Sequence, residues 1–189
     1  LNFTYANDVD TSDYDINPTL KNIQEINVNV RTTGDGNGNA FLDLQDTTGI
    51  QEIHVNGVDG AYYETYNIQD GKGKDGAGIE LSVSDSNDEN SGVGFFFVDK
   101  ALSGTNDKAN LTVSNVTLEY LGVSGQGSQG FETLNLESTG AANVVGEIEA
   151  EDLQTVKITG DEELTLGWTE DVKRESGQVE AFHRGAGFT

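Results

Sequence analysis

Ile23-Gln24-Glu25-Ile26-Asn27-Val28 returns 27 residues later as Ile50-Gln51-Glu52-Ile53-His54-Val55. A looser form appears as Phe131-Glu132-Thr133-Leu134-Asn135-Leu136 and again, 22 residues on, as Leu153-Gln154-Thr155-Val156-Lys157-Ile158. Each copy sets an apolar residue before two polar ones and then alternates apolar, polar, apolar, the period-2 pattern of a half-buried strand. The spacers echo too. Thr32-Thr33-Gly34 leads to Asn39-Ala40-Phe41-Leu42, and Ser138-Thr139-Gly140 leads to Asn143-Val144-Val145. Ile79-Glu80-Leu81-Ser82-Val83 falls near the next 27-residue step. A strand, turn and second strand repeated at this period predict an all-β, repeat-built β-solenoid, parallel and β-helix-like, with about 22–27 residues per repeat. The alternative is a β-sandwich, whose strands also alternate with turns.

Working outward, residues 1–22 read as an acidic lead-in strand or linker, and 23–170 as the β-repeat domain. Gly122 to Gly130 is rich in Gly, Ser and Gln, which predicts a flexible connection and a lobe break at 122–130. Residues 171–189 leave the repeat and carry Lys173, Arg174 and Arg184, as expected for a terminal cap or a linker to a following domain. Gly94-Phe95-Phe96-Phe97-Val98 predicts a strand buried on both faces. Ala109 to Val123 reads as two short strands around Asn115, and Ala61 to Tyr66 as a strand with tyrosines on one or both faces.

The 189 residues hold 33 Asp and Glu against 10 Lys and Arg, a formal net charge of -23. Such a surface repels phosphate backbones and anionic membranes, which argues against nucleic acid and membrane insertion, and it attracts cations. With neither Cys nor Met in the chain, disulfides and thiolate metal sites are excluded. The two histidines, His54 and His183, form no ligand spacing, and His54 occupies the polar-face position held by Asn27, Asn135 and Lys157 in the other copies. No Gly-x-Ser-x-Gly elbow, Walker loop or dinucleotide fingerprint is present, and the carboxylates fall in loops or on alternating polar faces. The expectation is a protein that is not an enzyme.

Two loops are candidates for Ca2+. Asp35, Asn37, Asn39, Phe41, Asp43 and Asp46 fall at positions 1, 3, 5, 7, 9 and 12 of an EF-hand-like loop, with Ala40 at the position that calls for Gly. The alternative is a turn whose Asn and Gly adopt left-handed conformations. The second loop, Asp70-Gly71-Lys72-Gly73-Lys74-Asp75-Gly76-Ala77-Gly78, resembles the glycine-rich nonapeptide of RTX proteins. Asp70 and Asp75 are its carboxylates, and Asp85, Asn87 and Asp88, one strand later, are candidates for the remaining oxygens. A solvated hairpin end is the alternative.

Phe131 to Leu136 followed by Ser138-Thr139-Gly140-Ala141-Ala142-Asn143, in an acidic chain without cysteine, resembles the repeats of bacterial S-layer proteins and of RTX-type surface proteins exported by type I secretion. The resemblance covers 23–168 and lacks a tandem array of nonapeptides. It implies a chain at the cell surface, extracellular, folding with calcium and assembling with itself or neighbouring domains in a lattice. The leading expectation is therefore a calcium-stabilised structural module acting by self-assembly. The alternative is an adhesin or carbohydrate-binding module that presents Tyr62, Tyr63, Tyr66 or Trp168 to a surface glycan. A polysaccharide-degrading β-helix enzyme is the third reading.

Overall fold

The structure, a computed structural model, describes residues 1–7, 14–32 and 39–167. Thr33, Gly34, Asp35, Asn37, Trp168 and the 171–189 segment lie outside the described residues. In chain order the strands are β1 (Asn2–Asn7), β2 (Tyr14–Ile16), β3 (Leu20–Lys21), β4 (Glu25–Thr32), β5 (Ala40–Asp43), β6 (Thr47–Thr48), β7 (Glu52–Asn56) and β8 (Tyr62–Ile68). They continue with β9 (Ile79–Asn87), β10 (Gly92–Phe97), β11 (Lys108–Gly125), β12 (Thr133–Thr139), β13 (Asn143–Glu149), β14 (Thr155–Gly160) and β15 (Leu164–Leu166).

Every described pairing is parallel, and each links strands of neighbouring repeats. One face stacks in the order β1-β4-β7-β9-β11-β12-β14, the other in the order β2-β5-β8-β10-β11-β13-β15, and β3 pairs with β6 on a short third side. The chain is a β-solenoid, as the repeat predicts. Its coils begin before Ile23, because β1 pairs with β4. Glu25 stands opposite Glu52, 27 positions on, and Glu52 opposite Glu80, 28 on. The step widens to 30 from Ile79 to Ala109 and shrinks to 22 from Thr133 to Thr155.

Inward residues form unbroken columns. Ile26, Ile53, Leu81, Leu111 and Leu136 lie opposite one another on successive strands, each no more than 2 % exposed. The fourth residue of the first two phrases thus stacks on the sixth residue of the third phrase. Between early and late coils the phrase has slid two residues along the strand. A slip of one would have turned every apolar side chain outward, whereas a slip of two keeps the inside in.

The corner between the two faces is a column as well. Pairing of Asn56 with Ser84, and of Ser114 with both Ser84 and Thr139, places Gly57, Asp85, Asn115 and Gly140 in line. All four are left-handed, at φ 75, 52, 56 and 81. Only Gly, Asn and Asp enter that region readily, so the turn glycine of the repeat marks a corner that Asp and Asn also fill. Beyond it, polar side chains of the next coil satisfy the backbone. Val58 N–H donates to Ser86 Oγ at 2.9 Å, and Val116 N–H to Asn143 Oδ1 at 2.9 Å.

Three local expectations are corrected. The stretch around Asn115 is one strand, β11, which passes through the corner and serves both faces, because the left-handed Asn115 bends the chain without ending its ladder. Gly122 to Gly125 belongs to that strand, and one core cluster continues past 122–130, with the Phe97 and Phe131 rings edge to face at 4.9 Å. β10 buries Phe95 and Phe97 inward but leaves Phe96 partly exposed on the outside, where Gly94 leaves room for it.

Candidate functional site

Of the first acidic loop, Asn39 precedes β5, Asp43 ends it and Asp46 lies in the following turn. Asp43 is buried and already engaged. Its Oδ1 accepts the Gln45 N–H at 2.9 Å and Asn67 Nδ2 at 2.8 Å, and its Oδ2 accepts Asn17 Nδ2 at 3.4 Å. The second loop closes on itself through a 3-10 turn at Lys74–Gly76, with the Gly78 N–H donating to the Lys72 carbonyl at 3.0 Å. A side chain at Gly73 would run into that backbone, so its glycine serves the closure. Asp70 Oδ1 accepts the Lys72 N–H at 3.0 Å, and Asp75 is exposed.

Asp85, Asn87 and Asp88 lie at the far end of β9 from that loop. Six residues of extended chain span about 20 Å, so the structure does not bring Asp70 and Asp75 together with them. Asp85 accepts from Asn115 Nδ2 at 3.0 Å and from Asn56 Nδ2 at 3.1 Å. Asp88 accepts from the Asn90 backbone at 2.8 Å and from its side chain at 3.0 Å, which holds its carboxyl below the usual carboxylate range. The Asn87 N–H donates to Asp59 Oδ1 at 2.8 Å. Among the described residues, no group of three or more His, Asp or Glu is gathered to hold a metal ion.

Acidity is instead spread along ladders. Glu25, Glu52 and Glu80 stand opposite one another on adjacent strands, an arrangement in which like charges repel. Each is relieved by a different neighbour. Asn27 Nδ2 donates to Glu25 at 2.7 Å, His54 Nε2 lies 3.5 Å from Glu52, and Asn110 Nδ2 donates to Glu80 at 2.8 Å. His54 is on the polar face, as expected, with its Nδ1 2.8 Å from Ser82 Oγ.

The outer face of the second sheet is aromatic. Tyr63 points inward and is fully buried, its hydroxyl 2.8 Å from Thr65 Oγ1, so it is a core residue and not a ligand platform. Tyr62 and Tyr66 point outward with Phe41, Phe96 and Tyr120, all partly exposed. Tyr62 lies over Gly92 of the next strand, Phe96 folds over Gly94 and Tyr120 over Gly122, so closely that a Cβ at any of these glycines would strike the ring. Seated over backbone in this way, the side chains remain partly exposed to solvent. Each tyrosine donates to a carboxylate: Tyr66 to Asp15 at 3.0 Å, Tyr62 to Glu119 at 2.5 Å and Tyr120 to Glu149 at 3.1 Å.

No family model, curated protein or solved structure matches the chain.

Two breaks in the ladder shape this face. β8 carries an extra residue opposite Phe95 to Phe97, at Tyr66 and the left-handed Asn67. In β11 the N–H groups of both Glu119 and Tyr120 turn toward the Ser91 carbonyl, at 2.9 and 3.4 Å. Such bulges re-aim side chains, here turning Glu119 outward beside Tyr120. Burial, together with the Glu119 carboxylate, pushes the Tyr62 phenol up to about 12, and burial with Asp15 does the same for Tyr66. Half-burial, then the Glu149 charge, raises Glu64. Glu151 is raised by burial and by Glu149, Asp152 and Asp99, and its Oε2 is buried without a hydrogen-bond partner among the described residues. The face thus offers ring surfaces and oxygen acceptors, with its phenolic protons already committed.

Sequence reasoning found Tyr62 and Tyr66 but missed Tyr120, Glu119, Glu149 and Asp15. The available signal was the alternation of Gly92 and Gly94 on one side of a strand, which marks where neighbouring rings can lie down.

Proposed function

We propose that the chain is a structural module of a bacterial surface-layer or related surface protein, extracellular and stabilised by calcium, whose activity is to stack end to end with another solenoid. The observation that carries this reading is the open column. Leu136 pairs with Ile158, so among the described residues Ile158 follows Leu136 in the column through Ile26, Ile53, Leu81 and Leu111. The earlier five are buried, whereas Ile158 is 37 % exposed. In the other direction along the stack, Ile16 is 36 % exposed and lies over Leu42. A second end placed in register covers these residues, each contributing about 25 cal/mol per Å² buried, and continues the backbone ladder.

Support for calcium comes from the acidic excess and the stacked glutamates, whose repulsion a divalent counter-ion reduces, rather than from a formed cage. Sedimentation of the full chain over a range of concentrations, with calcium and with a chelator, tests the proposal. Association that grows with concentration and is abolished by Ile158→Lys is expected. A wild-type protein that stays monomeric throughout overturns stacking, and identical thermal midpoints with calcium and chelator remove the metal.

A further inference from the structure

The aromatic face is not used by end-to-end stacking, because it runs along the side of the solenoid. Its three tyrosine–carboxylate pairs, Tyr66 with Asp15, Tyr62 with Glu119 and Tyr120 with Glu149, succeed one another from β2 to β13. The strip spans five strand-to-strand steps, about 24 Å along the axis; Tyr62 and Tyr120 share one column across Gly92, and Tyr66, four residues on from Tyr62 in β8, stands to one side of it. We propose that the strip binds a single chain of a linear, uncharged polysaccharide laid along the solenoid axis.

Four observations select that ligand. Tyr62 covers the backbone at Gly92 and Tyr120 that at Gly122, and both side chains are partly exposed, so ring surface is available for the apolar C–H face of a sugar. The phenolic protons are held by carboxylates, which leaves the pairs without a donor for an anion, and the chain carries a net charge of -23. Anionic polymers are thereby rejected. Each carboxylate has about four lone-pair sites and the tyrosine takes one, so acceptors remain at the ring edges for ligand hydroxyls. Tyr62 and Tyr120 recur along the axis, two strands apart in one column, and a recurring site suits a polymer of recurring units better than a compact ligand. Bulges at Tyr66-Asn67 and Glu119-Tyr120 place one member of each of the three pairs at a break in the ladder, and a regular strand would have left Glu119 and Tyr120 on opposite sides.

Affinity electrophoresis of the full chain through native gels tests the proposal. The gels contain, in turn, hydroxyethylcellulose, galactomannan, soluble xylan or dextran as neutral probes, alginate as an anionic one and polylysine as a cationic one. Retardation by at least one neutral polysaccharide is expected, persisting in about 0.5 M NaCl, where exposed charge interactions are screened. Tyr62→Leu keeps an apolar cover on Gly92 but removes the ring. It and Tyr120→Leu are each expected to weaken binding about tenfold, equivalent to about 1.4 kcal/mol. Circular dichroism identifies variants that fail to fold, and for these Tyr62→Phe, which keeps the ring and frees Glu119, is expected to bind within about threefold of wild type. Migration unaffected by every neutral probe overturns the proposal. Wild-type affinity in folded Leu variants does the same, as does binding only to polylysine that disappears with salt. These outcomes leave the stacking proposal standing, since Ile158 is not part of the strip.

Discussion

Asn143 Oδ1 accepts the backbone N–H of Val116 at 2.9 Å, across the boundary between one coil and the next. Its Nδ2 donates to Ser138 Oγ at 2.8 Å and to the Thr139 carbonyl at 3.1 Å, and the whole side chain is buried. One amide thus closes the corner of its own coil while satisfying the coil before it. Replacing it with leucine strands the Val116 N–H and leaves Ser138 Oγ with only its 3.4 Å bond to the Glu163 carbonyl. A loss of about 1–3 kcal/mol in urea unfolding is expected, with faster hydrogen exchange at Val116. Unchanged exchange there would show the amide to be dispensable.

Asn115→Val puts a β-branched residue where φ is 56 and removes the bond to Asp85. Left-handed strain of about 1–2 kcal/mol is expected, seen as a lower denaturant midpoint. Asn115→Gly keeps the conformation accessible and should lose less than Asn115→Val. If the two variants match, the corner does not depend on backbone conformation.

Above pH 10, Tyr62 and Tyr66 make stability depend on pH. Tyr62 and Tyr66 ionise at about 10.0 when unfolded and at about 12 when folded. Raised folded values mean that their contribution is complete below pH 10 and is lost as pH climbs through 12. Tyr62→Phe should therefore flatten the decline in thermal midpoint over that window and remove one phenol from the alkaline absorbance titration.

Glu64 has the opposite consequence at neutral pH. Its folded value is raised, by half-burial and then by Glu149, so the ionised form is less stable in the fold than in the unfolded chain. Its favourable contribution is present below the unfolded value of 4.5 and fades as pH rises through the folded one. Glu64→Gln should raise stability at pH 7 by less than about 1 kcal/mol, since half the group is solvated and screened, and the gain should shrink toward pH 4. A gain that is constant with pH would point to packing rather than charge.

The coils were legible because period-2 strands that recur every 22–27 residues can bury their apolar side only by stacking on copies of themselves. The turn glycine was legible too, but its equivalence with Asp85 and Asn115 was not, because three residue types meet one backbone requirement. The two-residue slide between Ile53 and Leu136 hid the exact alignment, since parity alone is conserved. The aromatic strip was the least legible part. Tyr62, Tyr120 and Glu149 are far apart in sequence, and the bulges that aim Glu119 and Tyr120 leave no compositional trace.

Because every ladder is parallel and joins successive coils, the backbone hydrogen bonds point along the stack rather than across it. Tension applied between β1 and β15, the outermost described strands, therefore loads these bonds in series, one coil boundary at a time. Such a rod resists sideways shear through many bonds at once yet peels lengthwise from its weaker end, releasing one coil of slack per step.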